Sequence, residues 1–409
     1  MYDYNEKAVR EQLKSHDSFY LYDERIIKKH INELKEGFKN ETIIYSVKNN
    51  PNTHVLDTVF SSGIGADAAS LAEVYYAYDR GLPKDMIYFS CPGKTIKDIE
   101  ESIDKAVIIA DSINEIKIIQ SVAKARNIHV NVGMRINPDF SFFGEGKGSP
   151  SKFGVDEDQA IAFIKDNNYS NITINGIHVH LHSQELSADV LSGYHKKMFA
   201  LARRIQDRSG AKLDYINFGS GLGITFAESN MPLDLSAVAA SFEAERAEYI
   251  KDHPDTRFII ESGRYMSGKA GVYAAKVIDR KVSYGKNFVI LKNTLNGFAR
   301  PSVARMLAAV TGGEEPEIMY EPMYTGRSSF QFLPITDNTE TETETVTLVG
   351  CLCTGTDIIA QDIVMPHLEP GDGIVITNAG AYAAVMTPMQ FASLEKPAEL
   401  FLKEDGTVL

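Results

Sequence analysis

The sequence is poor in cysteine, has no excess of basic residues and contains no long apolar run. Its three cysteines, Cys91, Cys351 and Cys353, are too few for a disulfide scaffold and include no CxxC pair. The formal net charge of −13 disfavours nucleic acid as a partner, because phosphate binding requires a basic face. No apolar run is long enough to span a membrane, and the charged residues 1–17 lack the apolar core of a signal peptide. We therefore expect a protein of the reduced cytoplasm with neither a membrane nor a nucleic-acid partner.

The chain has 409 residues, 44% of them apolar and 24% charged, which is typical of a soluble protein with a large core. Between residues 41 and 263, apolar runs of strand length alternate with segments of helical period. The eight runs lie at 41–48, 64–67, 85–91, 107–111, 129–136, 172–181, 213–218 and 257–261. Eight strands alternating with helices predict a (β/α)8 TIM-type barrel, an α/β fold. The first run ends in Lys48 and not in the GxGxxG turn of a doubly wound sheet.

The pattern changes after about residue 268, where β-rich segments and turns replace the alternation. We expect a mostly antiparallel β domain there, and the strand-like segment 18–23 would join its sheet. The predicted domains are therefore the barrel, residues 24–268, and a β domain formed by residues 1–23 and 269–409.

Polar residues stand where the predicted strands end, and in a barrel of this kind the chemistry lies at those ends. They are Lys48, Asp67, Ser90, Asp111, Arg135, His178, His180, His182, Glu261 and Arg264, with the glycine turn FGSGLG at 218–223. The turn offers backbone N–H groups to a phosphate, and Arg264 can pair with the same phosphate. A desolvated Lys48 can form a Schiff base. A phosphate and a Schiff-base lysine together suggest pyridoxal 5′-phosphate.

Each of these elements also has a simpler interpretation. A glycine cluster alone is usually a tight turn, and a single lysine at a strand end is usually a surface residue. The alternating histidines His178, His180 and His182 would lie on one face of one strand, but no carboxylate stands beside them to complete a metal site. We therefore predict no metal, and the cofactor hypothesis depends on the joint placement of lysine, glycine turn and arginine.

Segments spread along the chain resemble, in order, the motifs of the fold-type III pyridoxal-phosphate decarboxylases, which include diaminopimelate, ornithine and arginine decarboxylases. The segments are YSVKNNP (45–51), GIGADAASLAEV (63–74), GIHVHLHSQ (176–184), NFGSGLG (217–223), ESGR (261–264), GCLCTGTD (350–357) and NAGAY (378–382). The resemblance covers nearly the whole chain. It implies the barrel and β domain of the alanine racemase/decarboxylase fold and a homodimer with shared active sites. It also implies α-decarboxylation through a Schiff base and a quinonoid intermediate.

The resemblance further implies roles for individual residues. Lys48 would bind the cofactor aldehyde, His180 would stack on its pyridine ring, and Glu261 would pair with the ring nitrogen. The other cofactor contacts would come from Asp67, Arg135, Ser183, Gly219, Ser220, Gly221, Gly263, Arg264 and Tyr382. The racemase branch has an arginine at the ring nitrogen, so Glu261 favours decarboxylation. Cys353, reaching in from the second subunit with Asp357, would return a proton to the substrate α-carbon.

The predicted substrate positions depart from the common members of the family. These positions are Arg300, Arg327, Cys353, Thr354, Asp357 and Tyr382. Thr354 stands where diaminopimelate decarboxylases have glutamate and ornithine decarboxylases have aspartate, so a distal ammonium would lose its expected partner. Arg300 matches an arginine that binds a substrate carboxylate in diaminopimelate decarboxylases, and Arg327 is a second candidate. These features are similar to those of a side branch that acts on carrier-protein-bound glutamate or on citryl–amino-acid conjugates.

We therefore predict a decarboxylase for an amino acid or an amino-acid conjugate, free or bound to a carrier protein, with a carboxylate at its distal end. meso-Diaminopimelate decarboxylase is the nearest alternative. An amino-acid racemase and a non-catalytic pyridoxal-phosphate-binding protein are further alternatives. The presence of Lys48, Glu261 and Cys353 together counts against the non-catalytic protein.

Overall fold

The computed structural model describes residues 3–227, 230–312, 322–323, 329–337 and 342–409. The chain divides into two compact units. The barrel unit comprises His30–Ile224 and Pro232–Gly263, and the β unit takes its described residues from Met1–Lys29, Thr225–Met231 and Arg264–Leu409.

Eleven α-helices and seventeen β-strands occur in the described ranges. The helices are α1 (Glu6–Gln12), α2 (Glu24–Gly37), α3 (Thr53–Ser61), α4 (Leu71–Tyr78), α5 (Ile96–Ser102), α6 (Ile113–Ala125), α7 (Glu157–Asp166), α8 (Ala188–Ser209), α9 (Leu235–Tyr249), α10 (Arg264–Ser267) and α11 (Ala299–Val310). The strands are β1 (Ser18–Asp23), β2 (Thr42–Ser46), β3 (Gly65–Ala68), β4 (Ile87–Phe89), β5 (Val107–Ala110), β6 (Val130–Asn137), β7 (Val155–Asp156), β8 (Ile172–His178), β9 (Tyr215–Asn217), β10 (Arg257–Ser262), β11 (Gly271–Ser283), β12 (Lys286–Leu291), β13 (Phe332–Ile335), β14 (Thr343–Gly350), β15 (Ile358–Pro366), β16 (Gly373–Ile376) and β17 (Ala398–Leu402). None of the described helices is long and apolar enough to cross a membrane.

A closed parallel sheet forms the barrel unit. Its strands follow the order β5-β4-β3-β2-β10-β9-β8-β6, and β5 pairs with β6 to close the ring. The short strand β7 pairs with β6 outside the ring. Every strand predicted for the barrel is present, and the prediction of a (β/α)8 barrel is confirmed. The carboxyl ends of these eight strands therefore meet at one mouth.

Side-chain caps set the ends of several barrel helices. Ser70 Oγ accepts a hydrogen bond from the Glu73 N–H at the start of α4, at 3.2 Å, and Ser112 Oγ accepts one from the Glu115 N–H at the start of α6, at 3.1 Å. Helix α8 ends at Gly210, whose φ of +75° lies in the left-handed region that favours glycine. The apolar period predicted these helices, and the caps explain where they begin or end.

The ring of Tyr215 fills the interior of the barrel. It packs against residues from four other strands, namely Ile44, Tyr88, Ile109 and Ile259. Gly133 and Gly176 leave room for this ring, since a Cβ at either position would lie 2.1 Å from one of its atoms. The barrel is thus packed inside, and its chemistry is restricted to the mouth.

A mostly antiparallel sheet forms the β unit, as predicted. Its central order is β13-β16-β11-β12-β14-β15. Strand β1 pairs antiparallel with β11 and parallel with β17, which confirms that the segment 18–23 joins this sheet. Its apolar core includes Val9, Leu13, Phe19, Leu21 and Val272.

Candidate active site

Lys48 lies at the mouth of the barrel. Strand β2 ends at Ser46, and the short 3-10 turn Val47–Asn49 follows, so that 41% of the Lys48 side chain is exposed. Its Nζ lies 2.5 Å from Oδ2 of Asp67 in the neighbouring strand β3. The ammonium of Lys48 can therefore lie just after a buried strand, because the carboxylate of Asp67 on the neighbouring strand pairs with it.

The Asp67 carboxylate has no exposed surface and is bound by three side-chain donors. Ser46 donates to Oδ2 at 2.9 Å and Ser90 donates to Oδ1 at 2.5 Å, in addition to Lys48. Both buried oxygens are therefore hydrogen-bonded, which compensates the cost of burying the charge. Asp67 fixes the position of the Lys48 amine at the barrel mouth.

His180 follows the end of β8 and is partly buried. Its Nε2 lies 3.1 Å from Ser183 Oγ, and Arg135 Nη2 donates to its carbonyl oxygen at 3.3 Å. Arg135 itself lies 3.7 Å from Asp111 Oδ1 and 4.3 Å from the ring centroid of Phe153. Burial, and to a smaller extent the charge of Arg135, lowers the pKa of His180 to about 3. The imidazole is therefore neutral near pH 7 and suited to stacking on an aromatic ring.

The glycine turn after β9 has two residues in the left-handed region, Gly219 at φ +60° and Gly221 at φ +90°. The Gly219 N–H donates to Asn217 Oδ1 at 2.9 Å, and Ser220 Oγ accepts from the Leu222 N–H at 2.9 Å. The N–H groups of Ser220 and Gly221 donate to no acceptor among the described residues. Two adjacent N–H groups of this kind form an anion-binding nest, so the turn fits a phosphate.

Glu261 is buried near the end of β10, and one of its oxygens is strongly bound. Asn217 Nδ2 donates to Oε1 at 2.8 Å, and His178 Nε2 lies 3.2 Å from the same oxygen. Oε2 accepts no hydrogen bond from any described residue. Burial alone raises the pKa of Glu261, but the neighbouring His178, Lys48 and His180 together lower that pKa below its ordinary value. Glu261 is therefore ionised, with one oxygen available to a protonated ring nitrogen.

Gly263 and Arg264 are adjacent in sequence but belong to different units. In the barrel unit, Gly263 packs closely on the turn after β2, since a Cβ there would lie 2.6 Å from Asn49 Nδ2. In the β unit, the buried Arg264 guanidinium lies 5.0 Å from the ring centroid of Tyr382 and 5.6 Å from that of Phe226. These cation–π contacts bring together Arg264 and Tyr382, both predicted phosphate ligands.

Arg300, predicted to bind a substrate carboxylate, lies in α11 and is 1% exposed. Its Nη1 donates to the Ala381 carbonyl at 3.1 Å, and its guanidinium lies 5.7 Å from the ring centroids of Phe226 and of Phe330. In this position protein groups enclose the guanidinium. The second predicted arginine, Arg327, lies outside the described residues.

The loop between β14 and β15 carries the predicted proton donor, Cys353, as an exposed free thiol. Asp357, at the end of this loop, is buried. Its carboxylate accepts from the N–H groups of Leu295 at 3.0 Å and Leu352 at 2.9 Å, and from the hydroxyl of Thr294. Because these contacts occupy both oxygens, Asp357 holds the loop in place and does not face solvent.

Thr354 follows the cysteine on the same loop and is half-buried. Its Oγ1 lies 2.9 Å from Oγ1 of Thr356. The position thus presents a neutral hydroxyl, engaged with a second hydroxyl, and offers no charge to a ligand.

Sequence reasoning missed three residues of the site. Ser46 and Asn217 were not singled out, and His178 was considered only as a metal ligand or a core residue. Each ends a barrel strand and stands two residues before a predicted site residue. Hydrogen-bonding side chains at these strand ends were the available signal, because the ends converge at the barrel mouth.

Comparisons with known proteins identify the family. The pyridoxal-binding domain of the pyridoxal-dependent decarboxylases matches residues 24–268. The L-glutamyl-[BtrI acyl-carrier protein] decarboxylase of Niallia circulans is 32% identical over 404 residues, which cover 95% of this chain and 89% of that protein. The diaminopimelate decarboxylase of Archaeoglobus fulgidus is 29% identical over 396 residues, which cover 94% of this chain and 88% of that protein.

A solved structure agrees with these sequence relatives. Diaminopimelate decarboxylase from Helicobacter pylori, complexed with L-lysine, matches with a TM-score of 0.82 at 27% identity, over 98% of this chain and 95% of that one. The match therefore includes both the barrel and the β unit. The chain belongs to the pyridoxal-dependent decarboxylases of fold type III, and it is a lyase whose cofactor is pyridoxal 5′-phosphate.

Proposed function

We propose that the enzyme decarboxylates an amino acid, or an amino acid joined to a carrier, whose distal end bears a carboxylate or a carboxyl-derived linkage. The observation that carries this proposal is the neutral hydroxyl of Thr354, engaged with Thr356 at 2.9 Å. A substrate with a free distal ammonium would find no charge at this position. The similarity to a relative named for its L-glutamyl carrier-protein substrate supports the same choice.

Lys48 binds the cofactor aldehyde in this proposal. An amine must be neutral to attack a carbonyl, and Asp67 Oδ2, 2.5 Å from Nζ, is placed to receive its proton. Ser46 and Ser90 hold that carboxylate, so the amine has one position at the mouth.

Glu261 holds a proton at the ring nitrogen of the cofactor. Pyridoxal phosphate protonated there supplies an electron sink for the electron pair that remains when CO2 departs. Asn217 fixes Oε1 of Glu261 at 2.8 Å and leaves Oε2 for the ring. The neutral His180 packs on the ring face without adding positive charge.

The phosphate binds to the N–H groups of Ser220 and Gly221. Ser183, whose hydroxyl lies 3.1 Å from His180 Nε2, adds a further donor. The family resemblance proposes Gly263, Arg264 and Tyr382 as further cofactor contacts. Arg135 donates to the His180 carbonyl at 3.3 Å and so supports the histidine.

Cys353 protonates the substrate α-carbon after CO2 leaves, and it acts from the second subunit of a homodimer. Mixing inactive Lys48→Ala and Cys353→Ala proteins tests this sharing, because a mixed dimer contains one intact site. Random mixing of subunits should restore up to about a quarter of wild-type activity. No recovery after subunit exchange, verified by mass, would contradict a shared site.

The substrate is tested by direct competition. Purified enzyme is incubated with L-glutamyl thioester on a carrier protein, with free L-glutamate and with meso-diaminopimelate, and CO2 release is measured. We expect kcat/KM for the conjugate to exceed that for diaminopimelate by at least about tenfold. Turnover of diaminopimelate alone would overturn the substrate proposal and leave the cofactor roles intact.

A charge placed at position 354 tests whether the uncharged Thr354 side chain sets the substrate preference. Thr354→Glu should weaken turnover of the acidic substrate and raise turnover of diaminopimelate, because a carboxylate can pair with the distal ammonium. Thr345→Glu, at an exposed position of β14 outside the loop, is the matched control. Equal effects of the two variants would exclude a specific role for Thr354.

meso-Diaminopimelate is the second candidate substrate. The diaminopimelate decarboxylase relatives and the lysine-complexed structure from H. pylori favour it. Expression in a lysine auxotroph that lacks this activity separates the two: growth without lysine would support diaminopimelate, and failure to grow with soluble, cofactor-loaded protein would support the conjugate.

A further inference from the structure

His178 is a buried histidine that contacts a functional carboxylate. It ends β8, is 1% exposed, and its Nε2 lies 3.2 Å from Oε1 of Glu261 in β10. Asn217, which ends the intervening strand β9, donates to the same oxygen at 2.8 Å. Three adjacent barrel strands therefore converge on a single oxygen atom.

Within the part of the chain that the structure describes, His178 has no second polar contact that would make it part of a structural network. Neither ring nitrogen has a hydrogen-bond partner among the described residues, and the 3.2 Å approach of Nε2 to Glu261 Oε1 is an ion-pair contact. A buried polar group usually has partners on each side, and an exception calls for a functional explanation. Among the described contacts, the one with Glu261 supplies such a functional explanation for His178.

His195 provides a comparison within the same unit. It is also 1% exposed, but its ring packs edge-on against Phe218 and Phe242, at centroid distances of 5.8 Å and 5.1 Å. It has no described contact with a carboxylate, so it is a packing residue. Burial alone therefore does not account for the placement of His178.

Removing the His178 contact from Oε1 has a predictable effect on the pKa of Glu261. Its burial favours the neutral carboxyl, and His178 is the first of the charged or polar neighbours that oppose this tendency. The titratable groups that face Glu261 are His178, His180 and Lys48, and Asn217 is a neutral donor. Without His178, the pKa of Glu261 would rise toward the neutral form that burial favours, and a neutral carboxyl is a poor partner for a cationic ring nitrogen.

We propose that His178 is a positioning residue which, together with Asn217, keeps Glu261 ionised and reserves its Oε2 for the ring nitrogen of the cofactor. The inference rests on the proposed pairing of Glu261 with that nitrogen. His178 acts through Glu261 and does not contact the cofactor.

The test reads the protonation of the ring nitrogen directly. Holoenzymes are prepared with pyridoxal phosphate labelled with nitrogen-15 in the ring, and its NMR shift is followed from about pH 6 to about pH 9. The wild-type nitrogen should remain protonated throughout. In the His178→Leu holoenzyme, the ring nitrogen should lose its proton within this pH range. The kcat should fall by about 10- to 100-fold, as expected when a contact with a charged group is removed.

Two further variants separate positioning from packing. His178→Gln keeps an amide N–H near the position of Nε2 and should retain the wild-type spectrum. His195→Leu removes an equally buried imidazole with no link to Glu261 and should also retain it. If His178→Leu does not fold, the polar and smaller His178→Asn, whose amide does not reach Glu261, replaces it and should lose the ring proton.

The outcomes distinguish this inference from the proposed function. A Glu261→Gln holoenzyme with an unchanged spectrum would overturn the pairing of Glu261 with the ring nitrogen. If Glu261→Gln alters the spectrum while the His178→Leu or His178→Asn protein matches the wild type, the role of His178 is overturned and the role of Glu261 stands. Loss of the ring proton in His195→Leu as well would assign both effects to packing and would also overturn the inference.

Discussion

The barrel mouth and the loop that carries Cys353 hold their functional groups by different means. At the mouth, Lys48, Asp67 and Glu261 lie at or near strand ends and contact side chains of neighbouring strands. The loop is instead attached through the single buried carboxylate of Asp357, which accepts from the Leu352 N–H within the loop and from Thr294 and Leu295 outside it. The parallel sheet positions the groups at the mouth, whereas the Asp357 carboxylate positions the loop that carries Cys353.

This difference has a functional meaning. Groups set by adjacent strands cannot change singly without disturbing their partners, so they suit the cofactor chemistry common to the family. A loop attached through one buried carboxylate can exchange its other side chains while keeping its path. The uncharged Thr354, where the common decarboxylases have an acid, stands on that loop.

The largest expected effect lies at the barrel mouth. Lys48→Ala should reduce CO2 release by at least about a thousandfold, because no other amine replaces the bond to the cofactor. The visible absorbance of the lysine-bound cofactor should vanish, and the free energy of unfolding should fall by about 1 to 3 kcal/mol, because the buried Asp67 carboxylate loses one of its three donors. Borohydride reduction of the wild-type holoenzyme and peptide mapping should find the pyridoxyl group on Lys48, and its recovery on a different lysine would refute the assignment.

The next effect lies on the loop. Cys353→Ala should slow turnover by about 10²- to 10⁴-fold, because a general acid is lost, and should leave the cofactor bound. Cys351→Ala is the matched control, since Cys351 is also an exposed free thiol two residues away. Turnover rates and cofactor absorbance measure both. Identical rates for the two variants would remove Cys353 from the proton-donor role.

The loop anchor should have a smaller effect than the thiol. Asp357→Asn keeps the side-chain size but replaces one acceptor oxygen by a donor that faces N–H groups, and it should cost about 1 to 3 kcal/mol of stability. Turnover should fall about tenfold through misplacement of Cys353, and the rate at which a thiol reagent modifies that cysteine should change. Asp362→Asn, at an exposed position of β15, should leave stability, turnover and the rate of thiol modification unchanged. Equal behaviour of the two variants would mean that the loop needs no anchor.

The remaining prediction concerns the pH dependence of stability. Burial lowers the pKa of His180 and of His195 from 6.5 to about 3, so the unfolded chain binds protons before the folded chain does. Stability should therefore fall as the pH drops below about 6.5, by up to about 1.4 kcal/mol per pH unit for each histidine. Urea unfolding between pH 6.5 and pH 4 measures this slope. His195→Phe should make it shallower, and an unchanged slope would contradict the prediction.

Much of the barrel could be predicted because its signals are local. Each strand is a short apolar run that ends in a polar residue. A strand end such as that at Lys48 or Glu261 can therefore be identified from a few neighbouring residues. The grouping of strand ends then follows from barrel closure, which places all of them at one mouth.

Other features depend on contacts between distant segments. Asp357 is saturated by Thr294 and Leu295, more than sixty residues earlier, so its burial has no local signal. The contact of His178 with Glu261 requires β9 to lie between β8 and β10, which the order of strands in the chain suggests but the side-chain pattern does not specify. The enclosure of Arg300 by two aromatic rings is likewise set by tertiary packing.

Tyr215 has a consequence for how molecules reach the active site. Its ring, seated against Gly133 and Gly176, blocks any passage along the axis of the barrel. Any molecule that reaches Lys48 must therefore arrive and depart on the mouth side of the barrel.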